Sequence, residues 1–284
     1  MDITNNVVEN EALNRNHPII TLLTDFGSKD AYVSALKGVI LSICPETKII
    51  DIAHDIPKYD IKYGAFLLSQ TAPYFPVGTI HLVVIDPGVG TTRRRIIVKG
   101  KRNMYVGPDN GVLSLAAEKE GSIKMVEIKK KQFMLQIVSK TFEGRDVFAP
   151  VSAYLAKGYE IDAFGPIIKN IVKLALANVE SRNGKLVGEI LYIDGFGNII
   201  TNIVSKSIHC SEIPVGAPLT VSIGEQSKKM RLCSAYEAVL VGQPLMIIGS
   251  SDFYEISVNK GSAKALFQAN IGDVIEISVP KRTC

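Results

Sequence analysis

The stretch Thr79-Ile-His-Leu-Val-Val-Ile-Asp-Pro-Gly-Val-Gly-Thr-Thr-Arg-Arg-Arg95 is an apolar run that ends in an acid, a glycine-rich turn and three consecutive arginines. Thr79 to Ile85 has no alternating polar face, so it reads as a strand buried on both sides, as in a parallel sheet between two helix layers. Asp86 is delivered at its carboxyl end. Pro87, Gly88 and Gly90 permit a tight turn that returns Arg93 toward the acid as a bidentate partner, the alternative being a structural ion pair at a loop. Three basic residues in a row cannot all face one pocket, so Arg94 and Arg95 are expected to be solvated or to attract a phosphate-like anion. Two more blocks share the design, Ile19-Ile-Thr-Leu-Leu-Thr-Asp-Phe-Gly27 and Ile193-Asp-Gly-Phe-Gly-Asn-Ile-Ile-Thr-Asn202. Acids recurring at strand ends point to a site.

Working outward, short Val/Ile/Leu runs alternate with helical patterns from Pro18 to about Gly165, which predicts an α/β domain with a mostly parallel central sheet between helices. Strands are expected at Ile19 to Leu23, Lys48 to Ala53, Arg95 to Val98 and Met104 to Val106. Helices are expected after Ser28 or Asp30 as cap, over Asp60 to Gln70, over Val112 to Lys119, and after Asp146 as cap. Beyond about Val179 strands follow one another with glycine turns, which predicts a smaller all-β, barrel-like domain. Its strands include Leu186 to Ile193, Asn198 to Val204, Leu245 to Ile248, Tyr254 to Val258, Ala263 to Phe267 and Val274 to Val279. The division is a polar tail at 1–17, an α/β domain at 18–178, a linker near Leu176 to Gly184, and an all-β domain at 185–284. In such α/β sheets ligands sit outside the carboxyl ends of the strands, which puts Asp25 and Asp86 on one rim.

The 284 residues, 46% apolar, suffice for a sizeable core. A net charge of +4, from 32 basic and 28 acidic residues, is too small and dispersed to indicate nucleic acid. Cys44, Cys210, Cys233 and Cys284 have neither CxxC spacing nor a nearby histidine pair, so no zinc site or disulfide framework is signalled, and a reducing cytoplasm fits. No apolar run approaches the roughly 20 residues that cross a bilayer, and the first residues lack a signal-peptide pattern. No membrane or nucleic-acid partner is expected.

Among polar constellations, Asp25 could accept two hydrogen bonds from a ribose diol or simply cap a helix, and Asp30 could be a cap or surface acid. Gly107-Pro-Asp-Asn-Gly111 is a structural turn without the ending of a phosphate loop. In Thr141-Phe-Glu-Gly-Arg-Asp146, Arg145 could pair with a surface acid. Asp194-Gly-Phe-Gly-Asn198 offers a carboxylate, an aromatic face and an amide suited to an ammonium group and a purine, though alone it would be a turn. His54, beside Asp51, Asp55 and Asp60, reads as strand and loop polarity rather than as a metal set.

Taken together and in order, these blocks resemble the S-adenosyl-L-methionine hydroxide adenosyltransferase family, relatives of the fluorinase and chlorinase enzymes. The resemblance runs from Pro18 to Val279. It rests on Thr24-Asp-Phe-Gly27 with Lys37-Gly38, Val84-Ile-Asp-Pro-Gly-Val-Gly-Thr91, Gly107-Pro-Asp-Asn-Gly111, Thr141-Phe-x-Gly-Arg-Asp146, Gly195-Phe-Gly-Asn198 with Thr201-Asn202, and Ile256 to Ser262. It implies a homotrimer in which the α/β domain of one subunit and the β domain of its neighbour enclose the substrate. By position, Asp25 would hold the ribose hydroxyls, Asp30 and Asp194 the methionine ammonium, and Ser250 its carboxylate. Phe196, Asn198, Tyr236 and Asn259 would surround the adenine, with Tyr59 over the sugar and Phe142 among the substrate-contacting residues. Asp86 and Arg93 match two members of the Asp, Arg, His set assigned to the attacking water. The third position holds Glu143 where many relatives have histidine.

The implied reaction is hydrolysis of S-adenosyl-L-methionine to adenosine and L-methionine, with no cofactor and no metal. Glu143 is expected to stay ionised beside Arg93 or Arg145, and Arg93 to lower the pKa of Asp86. Val89, Gly144 and the two acids disfavour halide as nucleophile. A non-catalytic adenosine- or S-adenosyl-L-methionine-binding protein and a halogenase are the alternatives.

Overall fold

The computed structural model describes residues 17–175, 177–182, 185–205, 213–250 and 252–278. The expected polar tail up to Asn16, parts of the linker, Cys210 and Cys284 lie outside them. Two compact units divide between Leu174 and Ala175.

The first unit carries β1 (Ile19–Thr24), α1 (Tyr32–Ile43), β2 (Lys48–Ala53), α2 (Ile61–Thr71), β3 (Ile80–Val84), β4 (Arg95–Gly100), β5 (Met104–Pro108), α3 (Ser114–Glu120), β6 (Ser122–Glu127) and α4 (Ala149–Ala156). The sheet order is β2-β1-β3-β5-β4-β6; the first four strands are parallel, and β4 runs antiparallel to β5 and β6. Period-two alternation explains the continuous apolar runs. Leu22, Leu82 and Val84 pack on one face with Leu36 and Ile40 of α1 and Val151 of α4. Leu23, Val83 and Ile85 pack on the other with Leu68 of α2 and Ala117 of α3. Each such side chain contributes about 1.5–3 kcal/mol of burial, so the sheet centre is the stable frame of the unit. The register pairs Ile20 with Ile80 and Thr24 with Val84, so β1 and β3 end level. Asp25 and Asp86 therefore leave the sheet at the same rim.

Two expected caps are not used. Ala31 stands at the start of α1 with no side-chain cap, so neither Ser28 nor Asp30 closes that helix. Asp146 lies inside a wide π-type turn, Gly144–Phe148, that runs into α4, and its carboxylate accepts from Ser139 N at 2.8 Å. Asp60 does cap α2, accepting from Tyr63 N at 2.9 Å.

His81, at the centre of β3, is fully buried. Its Nδ1 lies 2.7 Å from Thr21 Oγ1, and its ring stacks on Tyr105 at 5.2 Å. Burial pushes its pKa down to about 4. The unfolded chain takes up this proton near the ordinary value of 6.5 and the folded chain only near 4. Stability from this residue is thus complete above that window and is lost as the pH falls through it, by about 3 kcal/mol in total. Urea unfolding of wild type and His81→Phe should show a steeper acid loss in the wild type. Parallel pH dependences would refute a neutral buried imidazole.

The second unit contains β7 (Glu180–Arg182), β8 (Lys185–Ile193), β9 (Ile199–Val204), β10 (Pro218–Ile223), β11 (Gln226–Cys233), β12 (Pro244–Ile248), β13 (Phe253–Val258), α5 (Ala263–Phe267) and β14 (Val274–Ser278). The order β14-β10-β11-β12-β13-β9-β8 closes through a β14–β8 pairing into a seven-stranded barrel, with β7 added on β8. Leu186, Ile199, Val221, Leu232, Met246, Ile256 and Ile277 fill its interior. Ala263 to Phe267, expected as a strand, is a helix: Ser262 accepts from Ala265 N at 3.2 Å, and the following Ala-Lys-Ala-Leu are strong helix formers.

Candidate active site

Asp25 follows β1 and is buried, yet it caps no helix. Its Oδ2 accepts from Tyr59 N at 2.9 Å, and Lys58 Nζ donates to its backbone carbonyl. The turn is anchored from behind. Thr24 Oγ1 lies 2.9 Å from His54 Nδ1, Gly27 N donates to His54 O at 2.7 Å, and Gly27 takes a φ of +77° that favours glycine. Tyr59 itself has φ +66°, an uncommon conformation for a tyrosine, and is held there between its bond to Asp25 and the cap of α2. His54 Nε2 meets Asp51 at 3.1 Å, and no group suited to holding a metal ion occurs among the described residues.

After β3 the turn from Asp86 to Thr91 closes through Val89 N to Asp86 O and Thr91 N to Gly88 O, both 3.2 Å. Gly90 takes φ +77°, and a Cβ there would fall 2.3 Å from Lys140 O, so this turn packs against the segment leading to Glu143 only because the residue is glycine. Arg93 forms the expected bidentate pair, Nε donating to Asp86 Oδ1 at 2.9 Å and Nη2 to Oδ2. The same Nη2 donates to Glu143 Oε2 at 2.5 Å, and Arg95 Nη2 donates to Glu143 Oε1. The expectation that Arg94 and Arg95 are solvated fails, for a reason that strand alternation supplies. Arg95 opens β4 on the face shared by Ile97, Val147 and Phe148, which is the side of Glu143. Arg94 projects to the other face, where its Nε donates to Asp109 at 2.7 Å and its Nη2 to Asn170 O at 3.0 Å.

Burial pushes the Asp86 carboxyl above its ordinary range, the Glu143 charge adds to this, and Arg93 pulls the other way without prevailing. The expected lowering of Asp86 by its arginine is thus corrected. Glu143 is lowered despite its burial, because Arg95 and Arg93 both bond to it, and it stays ionised as expected. One acid is made more basic while its neighbour is kept charged. Arg145, expected to pair with a surface acid, donates to the buried Asp146 at 2.6 Å and lies 5.0 Å over the Phe142 ring.

These elements surround a cleft of about 250 Å³ at the carboxyl rim of the sheet. Asp25, Asp30, Tyr59, Asp86, Phe142 and Glu143 all line it, and Arg93 stands behind the acids. Phe26 and Tyr32, which sequence reading passed over, line it too; with Phe142 they form a cluster with ring separations of 5.1–5.8 Å. A signal for Tyr32 was its position on the first turn of α1, at the end of the sheet where Asp25 lies. Val89 and Gly144 also face the cleft, beside the two acids.

In the second unit, Asp194 turns inward on its own loop. Its Oδ1 accepts from Phe196 N and Asn198 N and its Oδ2 from Asn198 Nδ2, each at 2.9 Å. The loop is docked on α5, for Lys264 N donates to Gly197 O at 2.9 Å and a Cβ on Gly197 would meet Ser262 Oγ at 2.1 Å. Phe196 is 83% exposed, and Ser250 is exposed as well. Tyr236 donates to Glu255 at 2.9 Å, and its hydroxyl is pushed up to about 12 by burial, then by Glu255, with Asp194 contributing. Asn259 Nδ2 donates to Val239 O at 2.7 Å, tying its turn to the Tyr236 segment. Glu255, buried and also bonded by Ser257 Oγ at 2.8 Å, was missed; its only signal was an acid inside the apolar run of β13.

Comparison with known proteins places these features in one family. The SAM hydroxide adenosyltransferase N-terminal domain matches residues 20–165, and the C-terminal domain of the same family matches residues 188–276. The chain is 33% identical to an (R)-S-adenosyl-L-methionine hydrolase from Salinispora tropica, over 92% of this chain and 98% of that protein. It is 26% identical to a fluorinase from an Actinoplanes species, over 93% and 98% of the two chains. The crystal structure of an uncharacterized conserved protein from Thermotoga maritima superposes with a TM-score of 0.87 at 35% identity, covering 91% of this chain and 99% of that one. Both domain matches, in the order that the two units follow, establish that the chain belongs to the SAM hydroxide adenosyltransferase family.

Proposed function

We propose that this protein hydrolyses S-adenosyl-L-methionine to adenosine and L-methionine by attack of water at the ribose C5′. The observation that carries the mechanism is Asp86, raised in pKa and aimed by Arg93, lining the same cleft as Asp25. Water oxygen bonds to C5′ as the C5′–S bond breaks, methionine leaves as a neutral thioether, and Asp86 accepts the water proton. The sulfonium is already a good leaving group, so the protein must supply alignment, worth up to about 7–11 kcal/mol, together with a partly desolvated acceptor. Asp25 would hold the ribose hydroxyls with Tyr59 over the sugar, Asp30 the ammonium, and Phe142 with its aromatic neighbours the apolar wall. Relatives carrying the hydrolase name over nearly their whole length support this reaction. Their name specifies the (R) sulfonium, and we extend that preference to this chain.

We further propose a cytoplasmic homotrimer in which Asp194, Phe196, Asn198, Tyr236, Ser250 and Asn259 of one subunit complete the cleft of the next. Light scattering that finds a monomer would end that part of the reading. Among the described residues no helix is long and apolar enough to cross a membrane.

The test is incubation with S-adenosyl-L-methionine in ¹⁸O-labelled water, with products read by chromatography and mass spectrometry. Adenosine labelled at its 5′ oxygen, together with methionine, is the expected result. Tight adenosine binding with no product would select a binding protein. Chloride-dependent 5′-chloro-5′-deoxyadenosine would select a halogenase, which the acids beside Val89 and Gly144 oppose through repulsion of an anion. Protonated Asp86 cannot accept a proton, so kcat/KM should be lost as pH falls through its folded pKa. That acid limb is expected above 3.8, the ordinary aspartate value. A flat profile through that range would remove Asp86 as the acceptor.

A further inference from the structure

We propose that Arg95 is a positioning residue for this reaction, acting as the counterion that allows Glu143 to stand ionised beside Asp86. This rests on the hydrolase reading above. The side chains form a continuous chain in which Arg95 bonds one oxygen of Glu143, Arg93 bonds the other, and Arg93 also clasps Asp86. Glu143 is 2% exposed and Asp86 5%, so two carboxylates that share Arg93 are both largely withdrawn from solvent. Arg93 alone cannot neutralise both. A lone guanidinium between two buried acids would leave one negative charge unmatched, and relief would come from protonating an acid or pulling Arg93 away from Asp86.

Arg95 removes that conflict. It occupies the oxygen of Glu143 that Arg93 does not use, which leaves Arg93 free to keep both of its bonds to Asp86. The position is fixed by backbone on both sides, since Arg95 pairs with Pro108 of β5 and Ile128 N donates to Arg95 O at 2.8 Å. Its Nε is buried without a hydrogen-bond partner among the described residues, while its Nη2 is engaged by the Glu143 carboxylate. Arg95 does not line the cleft, and its side chain remains 33% exposed. It therefore influences the attacking water only through Glu143 and Arg93.

Arg95→Gln should lower kcat about tenfold while the affinity for adenosine is unchanged, because the residue does not touch the ligand. Arg95→Lys should recover most of the loss, since a cation suffices. In a Glu143→Gln background, where no second charge needs balancing, Arg95→Gln should cause little further change. A readout independent of turnover is NMR titration of the Glu143 carboxyl in ¹³C-labelled protein, which Arg95→Gln should move upward. An unmoved Glu143 titration, or an equal loss of kcat in both backgrounds, would overturn the proposal. If wild type released no adenosine, the hydrolase reading would fall, yet the titration would still decide whether Arg95 governs Glu143.

Discussion

Asp86→Asn is expected to reduce kcat by about 10²–10⁴-fold, the usual contribution of a positioned proton acceptor. The substitution keeps the shape of the side chain and one acceptor oxygen, so the turn from Asp86 to Thr91 and the bond to Arg93 Nε can persist. Arg93 also keeps Glu143. What disappears is the charge and the ability to take a proton from water. Adenosine affinity should therefore change little while turnover collapses, and isothermal titration beside product chromatography separates the two. Wild-type turnover in this variant would show that alignment alone drives the reaction. A loss confined to KM would make Asp86 a binding group.

Arg93→Met is expected to damage both stability and catalysis. The guanidinium is the only group among the described residues bonded to both Asp86 and Glu143, and methionine leaves Asp86 without its counterion beside a Glu143 that only Arg95 still holds. Breaking a buried charge cluster by removing one partner typically costs about 3–5 kcal/mol. The sign of its pH dependence follows from Asp86, whose folded pKa is already raised and would rise further without Arg93. A carboxyl with a raised folded pKa favours the fold while protonated, a contribution present at low pH and lost as pH rises through the folded value. The variant should thus be less destabilised at about pH 5 than at about pH 8. Urea unfolding at the two pH values measures it, and a uniform penalty would show that Arg93 acts by packing, for instance through its position 5.5 Å over Phe148.

Much of this arrangement was legible in the sequence because it follows from period and termination. The apolar run before Asp86 has to be a doubly covered strand, and a matching run before Asp25 has to pair near it, so two acids at one rim could be inferred without coordinates. The bidentate Asp86–Arg93 pair was legible for a similar reason, the glycines between them. What stayed hidden depended on distant partners. Nothing local to Glu143 says that it lies between Arg93 and Arg95, forty-eight or more positions earlier. The balance that raises Asp86 was misread because the sequence shows its arginine but not its burial. The helix after Ser262 was mistaken for a strand because a five-residue apolar segment carries too little periodicity to tell the two apart.

Closure of the second unit limits how its backbone can bond to another molecule. Among the described residues, a barrel whose β14 returns to β8 leaves the three-residue β7 as its one outer strand, so strand addition from a neighbouring molecule has little to build on. Contacts of that unit with another molecule are offered chiefly by side chains and loop tips, such as the projecting ring of Phe196, features that substitution can alter without unravelling the barrel.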